Sequence, residues 1–136
     1  MAATLKLEIV TPDAKVYSAD VEMVTLPGVE GEMGIYPQHV PLLTQIAAGE
    51  VVARKDGQDH WLAVGGGFVE ITGDHVSIMT DMAISAENID EAKADEAKRR
   101  AEERLKEKMG AEEAAVVSAS LANSLAQLRV KRRQIR

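Results

Sequence analysis

Residues 49–79, GEVVARKDGQDHWLAVGGGFVEITGDHVSIM, indicate the fold class of the first part of the chain. Four short apolar runs, at residues 49–53, 61–64, 68–71 and 76–79, are separated by Asp56-Gly57, Gly65-Gly66-Gly67 and Gly73-Asp74. Asp-Gly between two apolar runs is typical of a tight hairpin turn. No long helical pattern lies between the runs, so the stretch predicts antiparallel strands in a sandwich or flattened barrel rather than an alternating α/β sheet.

The residues before this stretch continue the strand pattern. Residues 6–10, KLEIV, alternate polar and apolar side chains, as a half-buried strand does. Residues 14–17 and 21–26 are further strand candidates. The glycine triplet at 65–67 resembles a phosphate cradle only superficially, because a cradle needs a helix after it and a strand pattern follows. We therefore interpret the triplet as a tight bend or a close backbone contact.

Residues 26–43, LPGVEGEMGIYPQHVPLL, combine three prolines and three glycines with apolar side chains. Proline fixes φ and glycine allows positive φ, so this composition predicts a stiff, shaped loop that presents a surface.

The pattern changes near Asn88, after which Ala, Glu, Lys and Arg dominate and no proline occurs. A first helix is predicted from an Asn88 cap, with Glu91 three residues later, to a stop at Gly110. A second is predicted over residues 112–132. The predicted apolar stripes are Ile89, Ala92, Ala97, Ala101, Leu105 and Met109, and then Ala114, Val117, Leu121, Leu125 and Leu128. The short break leaves two alternatives, a hairpin or one continuous rod, and the alanine-rich stripes predict weak packing.

The composition argues against several classes of chemistry. The 136 residues include no cysteine, which excludes disulfides, thiolate zinc sites and cysteine nucleophiles. His39, His60 and His75 have no metal-site spacing and are interpreted as turn or surface residues. No apolar run reaches the roughly 20 residues that span a bilayer, and the first residues lack a secretory-signal pattern. We therefore expect contact with a membrane only through a partner protein.

The net charge of −6 is unevenly distributed. Residues 1–86 hold 4 Lys/Arg and 12 Asp/Glu, whereas residues 87–136 hold 12 Lys/Arg and 10 Asp/Glu. The two parts therefore present different surfaces, which suggests different partners. The basic end is short and has no interleaved aromatic residues, so nucleic-acid binding is not expected.

The segment from Pro27 to Leu42 resembles the epsilon subunits of F-type ATP synthases, which carry P-G-x-x-G-E-x-G-I-x-P-x-H-x-P-L here. Gly49, GGFVE at 66–70, IDEAKA at 89–94 and LAQLRV at 125–130 add to the resemblance, the last in its bacterial form. The resemblance covers nearly the whole chain. It implies an α+β fold, with an N-terminal antiparallel β-sandwich at residues 1–86 and a C-terminal antiparallel two-helix hairpin at residues 87–136.

The resemblance also implies a function. The chain would be a non-catalytic subunit of the central stalk of a proton-translocating ATP synthase. Its sandwich would bind the gamma subunit and the c-ring, and its hairpin would inhibit ATP hydrolysis by extending transiently towards the beta and alpha subunits. The expected location is the cytoplasmic face of a bacterial plasma membrane, alternatively a thylakoid membrane, with attachment only through the complex. No cofactor is expected to be required.

Three groups of site residues follow from the resemblance. Residues 30–41 are the expected foot on the c-ring, with Glu30, Glu32 and His39 as the candidate polar contacts. The alternative is that Glu32 and His39 only hold the shape of the loop. In some relatives the folded hairpin binds ATP through I/L-D-x-x-R-A and a later arginine. Here Ile89, Asp90 and Ala94 match, Lys93 replaces the arginine, and Arg100 lies two helical turns further on. Lysine lacks the bidentate fork of arginine, so we expect only weak binding of regulatory ATP.

The third group is an inhibitory tail with no acidic residue near it in the sequence. It comprises Arg129, Lys131, Arg132, Arg133 and Arg136. We expect these charges to stabilise a folded hairpin little and to meet an acidic stretch of a beta subunit when the hairpin extends. Helix-dipole complementation and solubility are the alternative roles. For the whole chain, the alternatives are a free-standing adaptor with other partners and a small enzyme, for which no catalytic constellation is present.

Overall fold

A computed structural model describes residues 3–135, except for the side chains of residues 134 and 135. Its strands are β1 (Leu5–Val10), β2 (Lys15–Val21), β3 (Met23–Gly28), β4 (Gly31–Ile35), β5 (Leu42–Ile46), β6 (Gly49–Lys55), β7 (Gln58–Val64), β8 (Gly67–Ile71), β9 (His75–Thr80) and β10 (Ala83–Ser85). A single 3-10 turn, Ala86–Asn88, leads into helices α1 (Glu91–Leu105) and α2 (Ala111–Ile135).

The strands form one continuous sheet that folds over a single core. Their order is β10-β7-β6-β3-β5-β8-β9-β1-β2, with β4 paired to β3. The paired strands run antiparallel except β1 and β9, which are parallel. Alternate residues such as Leu7, Ile9, Val69, Ile71 and Ile78 point inwards and are fully buried. The predicted N-terminal β-sandwich is confirmed, with one parallel pair that local sequence could not reveal.

The predicted turns at Asp56-Gly57 and at the glycine triplet are confirmed. Asp56 and Gly57 adopt φ of 53° and 76° and join β6 to β7, with Lys55 opposite Gln58. Positive φ at both residues matches the twist of antiparallel strands. A Cβ at Gly67 would collide with the Met79 carbonyl oxygen, so the triplet is a place of close backbone contact.

Residues 26–43 are not the stiff loop that the sequence predicted. They contain the end of β3, all of β4 and the start of β5. Pro37 and Pro41 lie in the connection between β4 and β5, where no ladder hydrogen bond is required. Met33 and Ile35 alternate with Glu32 and Gly34, but the many prolines and glycines obscured this period-two pattern.

The C-terminal helices form the predicted antiparallel hairpin, but with different boundaries. Asp90, not Asn88, caps α1: its Oδ1 accepts a hydrogen bond from the Lys93 N–H over 3.1 Å. Asn88 lies in the 3-10 turn instead. The helix ends at Leu105, before the predicted stop at Gly110. Residues 106–110 thus supply the length that lets the chain reverse.

The residues of the predicted apolar stripes match the buried residues of the two helices only in part. In α1, Ala94 and Ala101 are buried, whereas Ala92 and Leu105 are exposed. In α2 the buried residues are Ser124, Ala126, Leu128 and Val130, while Leu125 is exposed. The reason is that α2 packs against both α1 and the outer side of β6 and β7, so no single stripe describes it.

The hairpin is folded against the sandwich through a small apolar contact. The buried members are Ala63, Ala86, Ile89, Ala126 and Val130, with Trp61, Met82 and Ile84 beside them. Three of the five buried side chains are alanines, and each of these removes less apolar surface from water than a larger side chain would.

Candidate functional site

The tip of the β3–β4 hairpin is one candidate surface. Pro27 pairs with Glu32 and Gly28 with Gly31, which leaves Val29 and Glu30 as a two-residue turn. A Cβ at Gly28 would lie 2.6 Å from the Gly31 carbonyl oxygen, so this tight turn needs glycine there. A groove of about 320 Å³ at the tip is lined by Gly28, Val29, Glu30, Gly31, Glu32, Met33, Leu42 and Thr44. The structure thus brings the predicted Glu30 and Glu32 together, both exposed, beside the start of β5.

His39, the third predicted residue of the foot, is not among the residues that line this groove. Its Nδ1 donates a hydrogen bond to the Val40 carbonyl oxygen over 2.7 Å. Beside it, the Gln38 N–H donates to the Gly73 carbonyl oxygen, and Gln38 has a φ of 65°. These contacts give His39 a role in the shape of the β4–β5 connection.

A second candidate surface is an apolar patch that the sequence analysis missed. Leu43, Phe68 and Met79 remain 64%, 49% and 44% exposed on the outer face of β5, β8 and β9. Phe68 lies opposite Met79, and Leu43 lies opposite Glu70 in the same register. We call these three residues the β5–β8–β9 patch. The sequence of β8 does contain a sign of this patch. Side chains alternate between the two faces of a strand, so if Val69 and Ile71 point inwards, Phe68 must point outwards.

The basic end of α2 is the third candidate surface, and in the folded hairpin two of its arginines lie beside a carboxylate of the sheet. Nε of Arg133 lies 2.8 Å from Oε2 of Glu50, and Nε of Arg129 lies 3.8 Å from Oε1 of the same carboxylate. The Arg133 guanidinium also lies 5.2 Å from the centre of the Trp61 ring. Sequence missed the pairing because Glu50 lies in β6, remote along the chain.

The other described tail residues also contact the rest of the molecule. Lys131 donates to the Ala86 carbonyl oxygen over 3.2 Å, and Arg132 lies 3.3 Å from Oε1 of Glu91 at the start of α1. Arg136 lies outside the described residues. A groove of about 360 Å³ on this surface is lined by Leu125, Leu128, Arg129, Arg132 and Arg133.

The structure does not gather the predicted ATP-binding residues into one cavity. Ile89 and Ala94 are buried, and the Asp90 carboxylate is used as the α1 cap. Arg100 lies 2.6 Å from Glu96 on the exposed side of α1. The groove of about 800 Å³ beside it is lined by Ala92, Glu96, Arg99, Arg100, Glu102, Glu103 and Lys106, and the exposed Lys93 is not part of it.

His60 and His75 lie in strands rather than in turns, and the His75 side chain is 41% exposed at the surface. In β9, His75 places its Nε2 3.1 Å from Oε1 of Glu8, whose Oε2 lies 2.7 Å from Lys15. The Lys15 hydrogen bond and the positive charges of Lys15, Lys6 and His75 lower the pKa of Glu8, against an opposing effect of burial. In β7, Nδ1 of His60 lies 3.4 Å from the Tyr17 hydroxyl. Burial, with a smaller effect of Glu87, raises the pKa of Tyr17.

Two family models match the chain. The model described as "ATP synthase, Delta/Epsilon chain, beta-sandwich domain" matches residues 4–86, and "ATP synthase, Delta/Epsilon chain, long alpha-helix domain" matches residues 87–132. The ATP synthase epsilon chain of Bacillus subtilis (strain 168) is 48% identical over 102 residues, 75% of this chain and 77% of its own length. That of Bacillus licheniformis is 50% identical over 102 residues, covering 75% and 78%.

Solved structures show a similar fold. A chain in the Euglena gracilis mitochondrial ATP synthase, a structure of OSCP, F1 and c-ring, has a TM-score of 0.76 at 23% identity and covers 93% of this chain and 80% of its own. A chain in the Tetrahymena thermophila mitochondrial ATP synthase central stalk and c-ring has a TM-score of 0.52 at 15% identity, covering 62% and 69%. Within residues 3–135, no helix has the length and apolar character needed to cross a bilayer.

Proposed function

Because the chain belongs to the delta/epsilon-chain family of ATP synthases, we propose that it is a non-catalytic stalk subunit that couples the gamma subunit to the c-ring and restrains ATP hydrolysis. In this proposal residues 1–86 bind the rotor and residues 87–136 regulate it. Attachment to the membrane, at the cytoplasmic face of a bacterial plasma membrane, is through the complex alone.

The observation that carries rotor binding is the β5–β8–β9 patch. Phe68 and Met79 lie directly opposite each other, and exposed apolar side chains grouped on an outer sheet face suggest a protein contact. We assign the gamma subunit to this patch, because an apolar surface suits a lasting contact between subunits. We assign the c-ring to the hairpin tip, where Glu30 and Glu32 offer exposed acceptors and Leu42 links the tip to β5.

The proposed inhibition uses the same chain in a second conformation. The apolar contact under α2 is small, so folded and extended hairpins differ by only a few kcal/mol in the manner of other two-state elements. On extension, Arg129, Lys131, Arg132 and Arg133 leave their present partners and become available to carboxylates of a beta subunit. Weak ATP binding near Lys93 would favour the folded hairpin only to the extent that ATP binds the folded hairpin more tightly than the extended one.

Copurification tests the rotor assignment. Phe68→Glu places a charge in the patch and should strongly reduce recovery of gamma with the tagged chain. Val116→Glu is the matched control, because Val116 is also an exposed apolar residue, 70% exposed, but lies in α2. Equal recovery of gamma with both variants would contradict the assignment. Recovery of a different partner without gamma or c-ring would favour the adaptor alternative.

A further inference from the structure

Glu50 occupies an unusual position for a carboxylate on the surface of a sheet. It lies in β6 opposite Ala63, directly below α2, and its side chain is only 12% exposed. Its Oε2 pairs with Arg133 at 2.8 Å. Its Oε1 is buried and has no hydrogen-bond partner, because Arg129 stops 3.8 Å away. A buried carboxylate without compensating contacts is costly, so Glu50 depends on the two arginines for its charge to be tolerated.

In the folded hairpin, Glu50 is the most buried of the three charged side chains. Arg129 and Arg133 are each more than half exposed and regain full hydration when α2 leaves. Glu50 also becomes hydrated on opening, but its ion pair with Arg133 is lost. The contact of Arg133 with the Trp61 ring, 5.2 Å from the ring centre, is lost at the same time. In the folded hairpin these charges are partly buried, so salt screens them less than it screens exposed charges. These contacts join the hairpin to the sandwich, unlike the Arg104–Glu113 pair, which lies within the hairpin.

We infer that Glu50 is the regulatory residue that sets the resting position of the hairpin. It does so by competing, within the chain, for the same two arginines that the extended hairpin offers to a beta subunit. We call the contacts of Glu50 with Arg129 and Arg133 the clasp. Its effect on ATP hydrolysis rests on the proposed inhibitory function, but the clasp itself involves residues of this chain alone. Strengthening or weakening Glu50 therefore changes the fraction of extended hairpin without touching the groups that contact the partner.

The clasp is first tested on the isolated full chain. The chain has a single tryptophan and no cysteine, so Trp61 emission and the thiol reactivity of an Ala126→Cys variant both report opening. Ala126 is 1% exposed and lies on the face of α2 that packs against the sandwich. Glu50→Gln keeps the shape of the side chain and removes its charge; we expect its labelling rate to rise by about tenfold, equivalent to ~1.4 kcal/mol.

The matched control is Glu113→Gln, which removes a carboxylate paired with Arg104 at 2.6 Å inside the hairpin. It should leave the labelling rate unchanged. The double variant Arg129→Ala with Arg133→Ala alters only α2, so it opens the hairpin while leaving every residue of the sandwich in place. Equal labelling of the parent, Glu50→Gln and the double variant would overturn the inference.

In the assembled enzyme, Glu50→Gln and the double arginine variant should change the rate of ATP hydrolysis in opposite directions. Glu50→Gln frees intact arginines for the beta subunit and should lower ATP hydrolysis, whereas the double variant removes those arginines and should raise it. Faster labelling with no change of hydrolysis in either enzyme would support the clasp and contradict the proposed inhibition instead. Higher hydrolysis with Glu50→Gln would overturn the inferred competition.

Discussion

The guanidinium of Arg133, near the end of α2, lies 5.2 Å from the centre of the ring of Trp61 in β7. A cation over an aromatic face contributes about 0.5–1 kcal/mol at an exposed site. The same guanidinium pairs with Glu50, so one side chain joins the helix to the sheet by two kinds of contact.

Arg133→Lys should loosen the hairpin although it keeps the charge. Lysine lacks the planar group that stacks on the ring while it pairs with the carboxylate. We expect Trp61 emission to shift to the red, with a loss of about 1 kcal/mol of docking free energy. Arg99→Lys is the control, because Arg99 pairs with Asp95 inside α1. Emission spectra that are identical for the two variants would argue against the stacking contact.

A cysteine in place of Glu32 should crosslink to a cysteine in the polar loop of a c subunit in the assembled enzyme. Glu32 is exposed at the hairpin tip and lines the groove there. The control position is Glu102, which is exposed on α1. No crosslink from position 32 in an intact assembly, or one equally strong from position 102, would contradict the placement of the foot.

ATP should bind the isolated chain weakly, with a dissociation constant above about 10 μM, equivalent to roughly −7 kcal/mol. Lys93→Arg should tighten binding by on the order of tenfold, because arginine adds a bidentate contact to phosphate. Lys93→Gln, which keeps helix propensity but removes the charge, should abolish it. Calorimetry measures the dissociation constant of ATP. A value below about 10 μM for the parent chain would show that lysine at position 93 is sufficient for tight binding.

Stability should fall in acid partly because of Glu8. The hydrogen bond from Lys15 and the neighbouring positive charges lower its pKa from 4.5, so the folded chain binds fewer protons than the unfolded chain in this range. The contribution is present above the ordinary pKa and is lost as the pH falls through the folded pKa. Glu8→Gln should therefore flatten the acid side of the stability profile, measured by urea unfolding.

The control for that profile is Glu70→Gln, since Glu70 lies exposed in β8. Its profile should follow that of the parent chain. If Glu8→Gln leaves the acid side as steep as the parent does, the Lys15–Glu8–His75 contacts do not contribute to the pH dependence.

Local pattern predicted much of the fold, because alternation and turn residues act within a few positions of each other. Strands β6 to β9 follow from Asp56-Gly57 and from the alternation on each side of it. Strand β4 was missed because glycine and proline hide its alternation. The parallel pairing of β1 with β9 joins distant residues and has no local signal.

The candidate site was less predictable for the same reason. Glu30 and Glu32 are neighbours in sequence, so local sequence was enough to predict that they share one surface. The contact of Glu50 with Arg133 depends on how α2 lies across β6, which no sequence pattern fixes. The α1 cap differed by two residues because Asp90, rather than Asn88, has the extended backbone in which its side chain reaches the Lys93 N–H.

ATP hydrolysis by the assembled enzyme after deletion of residues 129–136 tests the central claim, inhibition by the hairpin, most directly. The deletion removes the five basic residues of the tail but no residue of the sandwich, so assembly should survive. We predict that hydrolysis at low salt rises on the order of fivefold. Arg132→Glu with Arg133→Glu should act in the same direction, and both effects should shrink at high salt. A truncated enzyme that assembles and hydrolyses ATP no faster than the parent at low salt would contradict the account.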